Sequence, residues 1–173
     1  MSGKDVLAWL EARVGPVLEV TRIQSRSAGS KGYTYEVLWA RVGRENLRPV
    51  VRALIEYEEQ EGRLPHLAVI SAADLGESLE LIYHFELGWG RPRQTVPLNL
   101  TVTVPKEDPR LPSLHDLIPG AFITEREKEE MIGVVVDGLP EMGNLFLPED
   151  FPAGVHPWRK DERGVQPLLR ELE

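Results

Sequence analysis

Val96-Pro97-Leu98-Asn99-Leu100-Thr101-Val102-Thr103-Val104 sets an apolar side chain at every second position, the period of a β-strand whose two faces meet different surroundings. The alternation predicts one buried face and one wet face. Pro97 suits a strand start or an edge, because it has no N–H to give to a ladder. Two more strands are predicted upstream, His66 to Ser71 and Leu79 to Leu87. Before them Leu47, Val50, Val51, Leu54, Ile55 and Glu58 recur at three and four residues, with Arg48, Arg52, Glu56 and Glu59 opposite. This is a helix closed by Gly62, and its apolar stripe must lie on a sheet. Val17 to Gln24 and Tyr33 to Val42 are rich in β-branched and aromatic residues and flank a Ser/Gly loop over 25–32, which predicts a hairpin. Val6, Leu7, Leu10 and Val14, with Trp9 beside them, predict a short helix over 4–14 that Gly15-Pro16 stops. The fold class is α/β (α+β): a mixed sheet flanked by helices.

Downstream, Ser113 is placed to cap a turn through Leu114, Leu117 and Ile118. Thr124 is placed to cap a helix over Glu125 to Met131, with Glu127 in its third position. Beyond Gly133 periodicity fades. Val134 to Val136 is short and apolar, and the remainder is rich in proline and glycine yet carries Leu145, Phe146, Phe151 and Trp158. Large apolar side chains on an irregular segment need a surface to cover them. The expected organisation is an α/β domain over 1–133 and an extended arm over 134–173 that wraps the domain or lies on a partner.

Composition narrows the function. The 173 residues carry 28 Asp and Glu against 20 Lys and Arg, a net charge of −8, so no broad cationic field gathers nucleic acid. The sequence has no cysteine, which removes disulfides, thiol nucleophiles and the thiolate ligands of iron–sulfur and structural zinc sites. Met1-Ser2-Gly3-Lys4-Asp5 lacks the apolar core of a secretory signal, and no apolar stretch approaches the ~20 residues that cross a bilayer. The expectation is a cytoplasmic protein without membrane insertion. Four Gln and three Asn in the whole sequence lie in the direction of heat-adapted proteins.

The common catalytic constellations are weak. His66, His84, His115 and His156 form no i, i+3 or i, i+4 pair, so structural roles are expected for them. Gly88-Trp89-Gly90-Arg91-Pro92 holds half of a dinucleotide loop, but Pro92 stands where a helix would begin, so a plain connecting loop is expected. Glu125-Arg126-Glu127-Lys128-Glu129-Glu130 is the densest charge run. On a helix Arg126 reaches Glu130, and the ordinary reading is a solvated face. Arg159-Lys160-Asp161-Glu162-Arg163 reads likewise, except that it follows Trp158, a costly residue to leave exposed.

The order of features resembles a known family. Ala68-Val69-Ile70-Ser71-Ala72-Ala73-Asp74, Tyr83-His84-Phe85, Leu111-Pro112-Ser113-Leu114, Gly120-Ala121-Phe122, Glu125-Arg126-Glu127 with Met131-Ile132-Gly133, Leu147-Pro148-Glu149-Asp150-Phe151 and Pro157-Trp158-Arg159-Lys160-Asp161 follow the pattern of the thirty-kilodalton subunit of respiratory NADH:quinone oxidoreductase (complex I). That family includes its equivalent in membrane-bound [NiFe] hydrogenases and related ferredoxin-linked complexes. The sequence departs from the respiratory branch at Glu129-Glu130, and Gly138 to Asn144 lacks that branch's double arginine, which points to a different neighbour.

The resemblance implies a non-catalytic brace with no active site and no cofactor of its own. It would pack on a large catalytic subunit and an iron–sulfur small subunit that hold the NiFe centre and the clusters, and touch the membrane arm only indirectly. The brace would sit on the cytoplasmic side of the membrane in a complex that couples ferredoxin-linked H2 evolution to ion translocation. The 134–173 arm would then pack on these partner subunits. Glu125, Arg126, Glu127, Gly133, Pro157, Trp158, Arg159 and Lys160 become the expected interface or buried ion-pair residues, with Lys128 and Glu129 left as solvated. A quinone-reducing complex, a free-standing adaptor or assembly factor, and a small carboxylate enzyme remain the alternatives.

Overall fold

The computed structural model describes residues 2–30, 32–90 and 95–168. Arg91-Pro92 and residues 169–173 of the arm lie outside them. Ser2 caps the first helix, α1 (Gly3–Val14), by a reciprocal capping box: its Oγ accepts from the Asp5 N–H at 3.2 Å and its own N–H donates to Asp5 at 2.9 Å. Gly15 and Pro16 end the helix as expected and lead into strand β1 (Leu18–Ala28), which pairs antiparallel with β2 (Tyr33–Val42). The second helix, α2 (Leu47–Glu59), buries Leu47, Val50, Val51, Leu54 and Glu58 of the stripe its spacing predicts, with Ala53 added and Ile55 only half-buried.

Strands β3 (His66–Asp74), β4 (Ser78–Leu87) and β5 (Val96–Pro105) complete a five-stranded sheet of order β1-β2-β5-β4-β3. Because β2 pairs parallel with β5 and antiparallel with β1, the sheet is mixed. Strand β5 is therefore central, with Pro97 near its start. Its polar face is wet only toward the end of the strand, where Thr103 is exposed. Asn99 is 8% and Thr101 7% exposed, since strands on both sides supply side chains to that face. A cross-strand row joins Ser71, His84 and Asn99, with His84 Nε2 2.8 Å from the serine hydroxyl and Nδ1 2.6 Å from Asn99 Oδ1. Asn99 Oδ1 only accepts, so His84 Nδ1 carries the proton.

Two short strands, β6 (Arg110–Pro112) and β7 (Val135–Asp137), pair parallel in a separate small sheet. The third helix, α3 (Ala121–Ile132), starts before the expected Thr124 cap, at Gly120. The Ala121 and Phe122 N–H groups bond the Ile118 and Pro119 carbonyls, so the preceding turn runs straight into the helix. Gly133 ends it in the left-handed conformation, φ 77°, which glycine adopts without strain. Contacts group residues 1–71 with 82–102, and residues 72–81 with 103–173, into two compact units. Val6, Leu10, Leu38, Val51, Leu54, Phe85 and Leu100 are core of the first; Leu79, Leu81, Val104, Leu111, Leu114, Ile132 and Val136 are core of the second.

Candidate partner interface

In the second unit the charge run of α3 is largely buried. Glu125 is 1% exposed and turned inward, accepting from the Ser113 hydroxyl at 2.5 Å and the Leu114 N–H at 2.7 Å. It closes the Ser113 turn, and burial raises its pKa to about 7 against the pull of those two donors. Lys128, expected in solvent, is 2% exposed. It pairs with Glu127, and its ammonium lies 4.7 Å from the centre of the Trp158 ring. Burial lowers its pKa while Glu127 opposes the shift. A cation held over an indole face away from water is favourable, and this explains why Trp158 follows so much charge in sequence.

Arg126 does not take the expected Glu130 partner. Its Nη1 donates to Glu129 at 2.6 Å, and Nη2 to the Met142 and Gly143 carbonyls at 2.9 and 3.2 Å. Glu129, also expected in solvent, further accepts the Val136 N–H at 3.0 Å. Glu130 instead accepts three consecutive backbone N–H groups, from Leu145, Phe146 and Leu147 at 2.8, 2.8 and 2.9 Å. Burial pushes its pKa up, but those amides and the Arg126 charge hold it below the usual value. The sequence offers Glu130 only Arg126 as a partner, because the amides it binds are 15 to 17 residues away in an aperiodic loop.

A second polar knot forms around Asp74. This buried carboxylate accepts from Lys106 Nζ at 2.8 Å and from the Lys160 and Gly76 N–H groups at 2.8 and 2.9 Å. Arg159, 6% exposed, donates through Nη2 to Asp161 at 2.6 Å, and Lys106 bridges to the same Asp161 at 2.7 Å. Lys160 also donates from Nζ to the Asp74 carbonyl at 3.0 Å. Arg159 and Lys160 thus seat the backbone after Trp158. At the neighbouring joint, Pro157 is half-buried and the Trp158 N–H donates to the Met131 carbonyl at 2.8 Å. The His156 ring lies so near Gly133 that a Cβ there would come within 2.5 Å of it.

These bonds hold apolar side chains outward. Met142 is 47%, Leu145 42%, Phe146 41% and Trp158 41% exposed, with Ile123 at 53% on the helix itself. Around Met142, Leu145 and Phe146 the backbone is tied by charge-assisted bonds and is preorganised, so a partner spends little entropy in ordering it. Apolar and aromatic side chains so displayed are the usual anchors of protein interfaces. Among the described residues no group of three or more His, Asp or Glu is placed to hold a metal ion. No described helix is long and apolar enough to cross a membrane.

Residues 40–167 match the family described as respiratory-chain NADH dehydrogenase, 30 Kd subunit. The protein is similar to the membrane-bound hydrogenase subunit beta of Pyrococcus furiosus, 35% identical over 75% of this sequence and 72% of that one. It is also similar to an NADH-quinone oxidoreductase subunit of Acidothermus cellulolyticus, 34% identical over 69% of this sequence, and spans 60% of that relative's length. A component of the structure of the membrane-bound sulfane sulfur reductase, an archaeal respiratory membrane complex, shares the fold. It superposes with a TM-score of 0.68 at 20% identity, covering 91% of this protein and 84% of that one.

Proposed function

Because the protein belongs to the family of the respiratory-chain NADH dehydrogenase 30 Kd subunit, we propose that it is a non-catalytic brace of a membrane-bound [NiFe] hydrogenase, with the 142–158 surface as its docking face. It is a complex I 30 kDa-type subunit of a hydrogenase-like or NADH:quinone oxidoreductase-like complex. The observation that carries the docking face is Glu130, whose carboxylate fastens the backbone beneath Leu145 and Phe146 while their side chains stay half exposed.

The likeness to the hydrogenase subunit beta supports the choice of complex, as does the Gly138–Asn144 loop without its double arginine. In this reading the NiFe centre and the clusters belong to the large catalytic subunit and the iron–sulfur small subunit. The absence of cysteine in this protein fits that division, because clusters take thiolate ligands. The brace holds redox subunits at fixed separation and excludes water between them. It is peripheral on the cytoplasmic side of the membrane, in a complex that couples ferredoxin-linked H2 evolution to ion translocation in a heat-adapted cell. The likeness to the NADH-quinone oxidoreductase relative supports a quinone-reducing complex as the second reading.

Phe146→Asp and Trp158→Ala test the docking face. Each is expected to cost about 2 kcal/mol or more of binding, roughly 30-fold in affinity, and so to deplete the protein from the detergent-solubilised complex. Circular dichroism of isolated Phe146→Asp should stay unchanged, since that side chain is about two-fifths exposed; Trp158→Ala also uncovers Lys128, so its thermal unfolding is measured beside its binding. Full occupancy in both variants would remove this face from the interface.

A further inference from the structure

On β2, Trp39 and Arg41 stand two residues apart and so share one face of the strand, opposite the face that buries Leu38, Ala40 and Val42. Register sets Arg22 of β1 directly across from Trp39, and Thr101 of β5 across from Arg41. Together with Ala40 these residues line a cavity of about 280 Å³ within the first unit.

Three observations point to an anionic occupant. Arg22 stacks its guanidinium 5.6 Å from the centre of the Trp39 ring and makes no carboxylate pair among the described residues. The Trp39 Nε1–H is buried with no acceptor among the described residues, although native proteins satisfy nearly all such groups. No described lining residue is acidic, in a protein where Asp and Glu outnumber Lys and Arg 28 to 20. Arginine, threonine and an indole N–H offer donors to a ligand that only accepts, and the planar guanidinium fork matches a carboxylate.

We propose that this cavity is a carboxylate-binding site in which Arg22, assisted by Thr101 and the Trp39 edge, receives a carboxylate. The group comes either from an acidic side chain of a neighbouring subunit or from a small free acid. The first source rests on the subunit reading above; the site itself does not.

The full-length protein labelled with ¹⁵N at its indoles gives one resonance for each of its four tryptophans, and Trp39→Phe identifies the one that matters. Titration with glutarate at constant ionic strength is expected to shift that resonance saturably. Arg22→Gln should weaken the effect about tenfold, the order of one charge-assisted hydrogen bond. Arg13→Gln, which removes the cation over Trp9, should leave it unchanged. No saturable shift, or an equal one in Arg22→Gln, would overturn the site. In the assembled complex, loss of glutarate binding together with weakened assembly of Arg22→Glu identifies a neighbour's carboxylate. Retained binding with normal assembly identifies a free acid. If the protein proves not to assemble at all, the titration on the free protein still decides the site.

Discussion

Replacing Asp74 with alanine is expected to lower the unfolding free energy by about 3–5 kcal/mol, the usual loss when a buried charge cluster loses one partner. Asp74 is 2% exposed, and its removal leaves Lys106 with Asp161 alone and strips the acceptor from the Lys160 and Gly76 N–H groups. Arg159 Nη1, already buried without an acceptor, gains none in exchange. Urea unfolding of Asp74→Ala beside Asp74→Asn measures the effect. The asparagine keeps an acceptor and should lose less. The pH dependence carries the same signature. Burial pushes the Asp74 carboxyl up, but Lys106, the Lys160 N–H and the Gly76 N–H together hold it below its ordinary 3.8. A depressed carboxylate stabilises the fold above that value and ceases to do so as pH falls through the lower folded value. The wild type should therefore lose stability in acid below about pH 3.8, with a slope that Asp74→Ala reduces. A change under about 1 kcal/mol in Asp74→Ala would mean that the knot contributes little, as an exposed pair does.

Glu125 predicts the opposite slope in a separate window. Burial raises its pKa from 4.5 to about 7, the Glu129 and Asp116 charges add to the rise, and the Ser113 and Leu114 donors oppose it. A raised folded value means the neutral form is favoured in the fold, so the stabilisation is complete below pH 4.5 and is lost as pH climbs through about 7. The size follows from the shift, about 3 kcal/mol between the two plateaus. Glu125→Gln is isosteric with the neutral acid and should flatten the profile across this window, becoming more stable than the wild type at pH 8. Thermal denaturation at pH 4, 6 and 8 checks it. Parallel profiles for the two proteins would show that Glu125 stays ionised throughout, held by its Ser113 and Leu114 donors.

The large elements were legible because their signals are local. The stripe from Leu47 to Glu58 needs only the helical period, and the hairpin of β1 and β2 needs only a Ser/Gly loop between β-branched runs. Strands of three residues, β6 and β7, carry no period to read. The alternation in β5 was real, but whether its polar face is wet depends on which strands flank it, and a parallel β2–β5 pairing is a long-range fact. The candidate site was legible in part for the same reason. Family resemblance drew attention to α3 and to Pro157 through Lys160, and the structure sets all of these in the second unit. A run of charges reads the same whether solvated or buried, so Lys128 and Glu129 depart from the solvated face their sequence suggests. Asp74 meets Lys160 from 86 residues away and Lys106 meets Asp161 from 55, while Glu130 engages a loop with no pattern. Polar knots of this kind are specified by tertiary geometry alone.

Purification of the tagged protein from detergent-solubilised native membranes, with partners identified by mass spectrometry and nickel and iron quantified in the same sample, tests the assignment to a hydrogenase complex. A brace of a [NiFe] hydrogenase is recovered stoichiometrically with a large catalytic subunit and an iron–sulfur small subunit, and with nickel together with iron. Recovery of the protein alone, or with quinone-reducing subunits and iron but no nickel, would contradict that assignment.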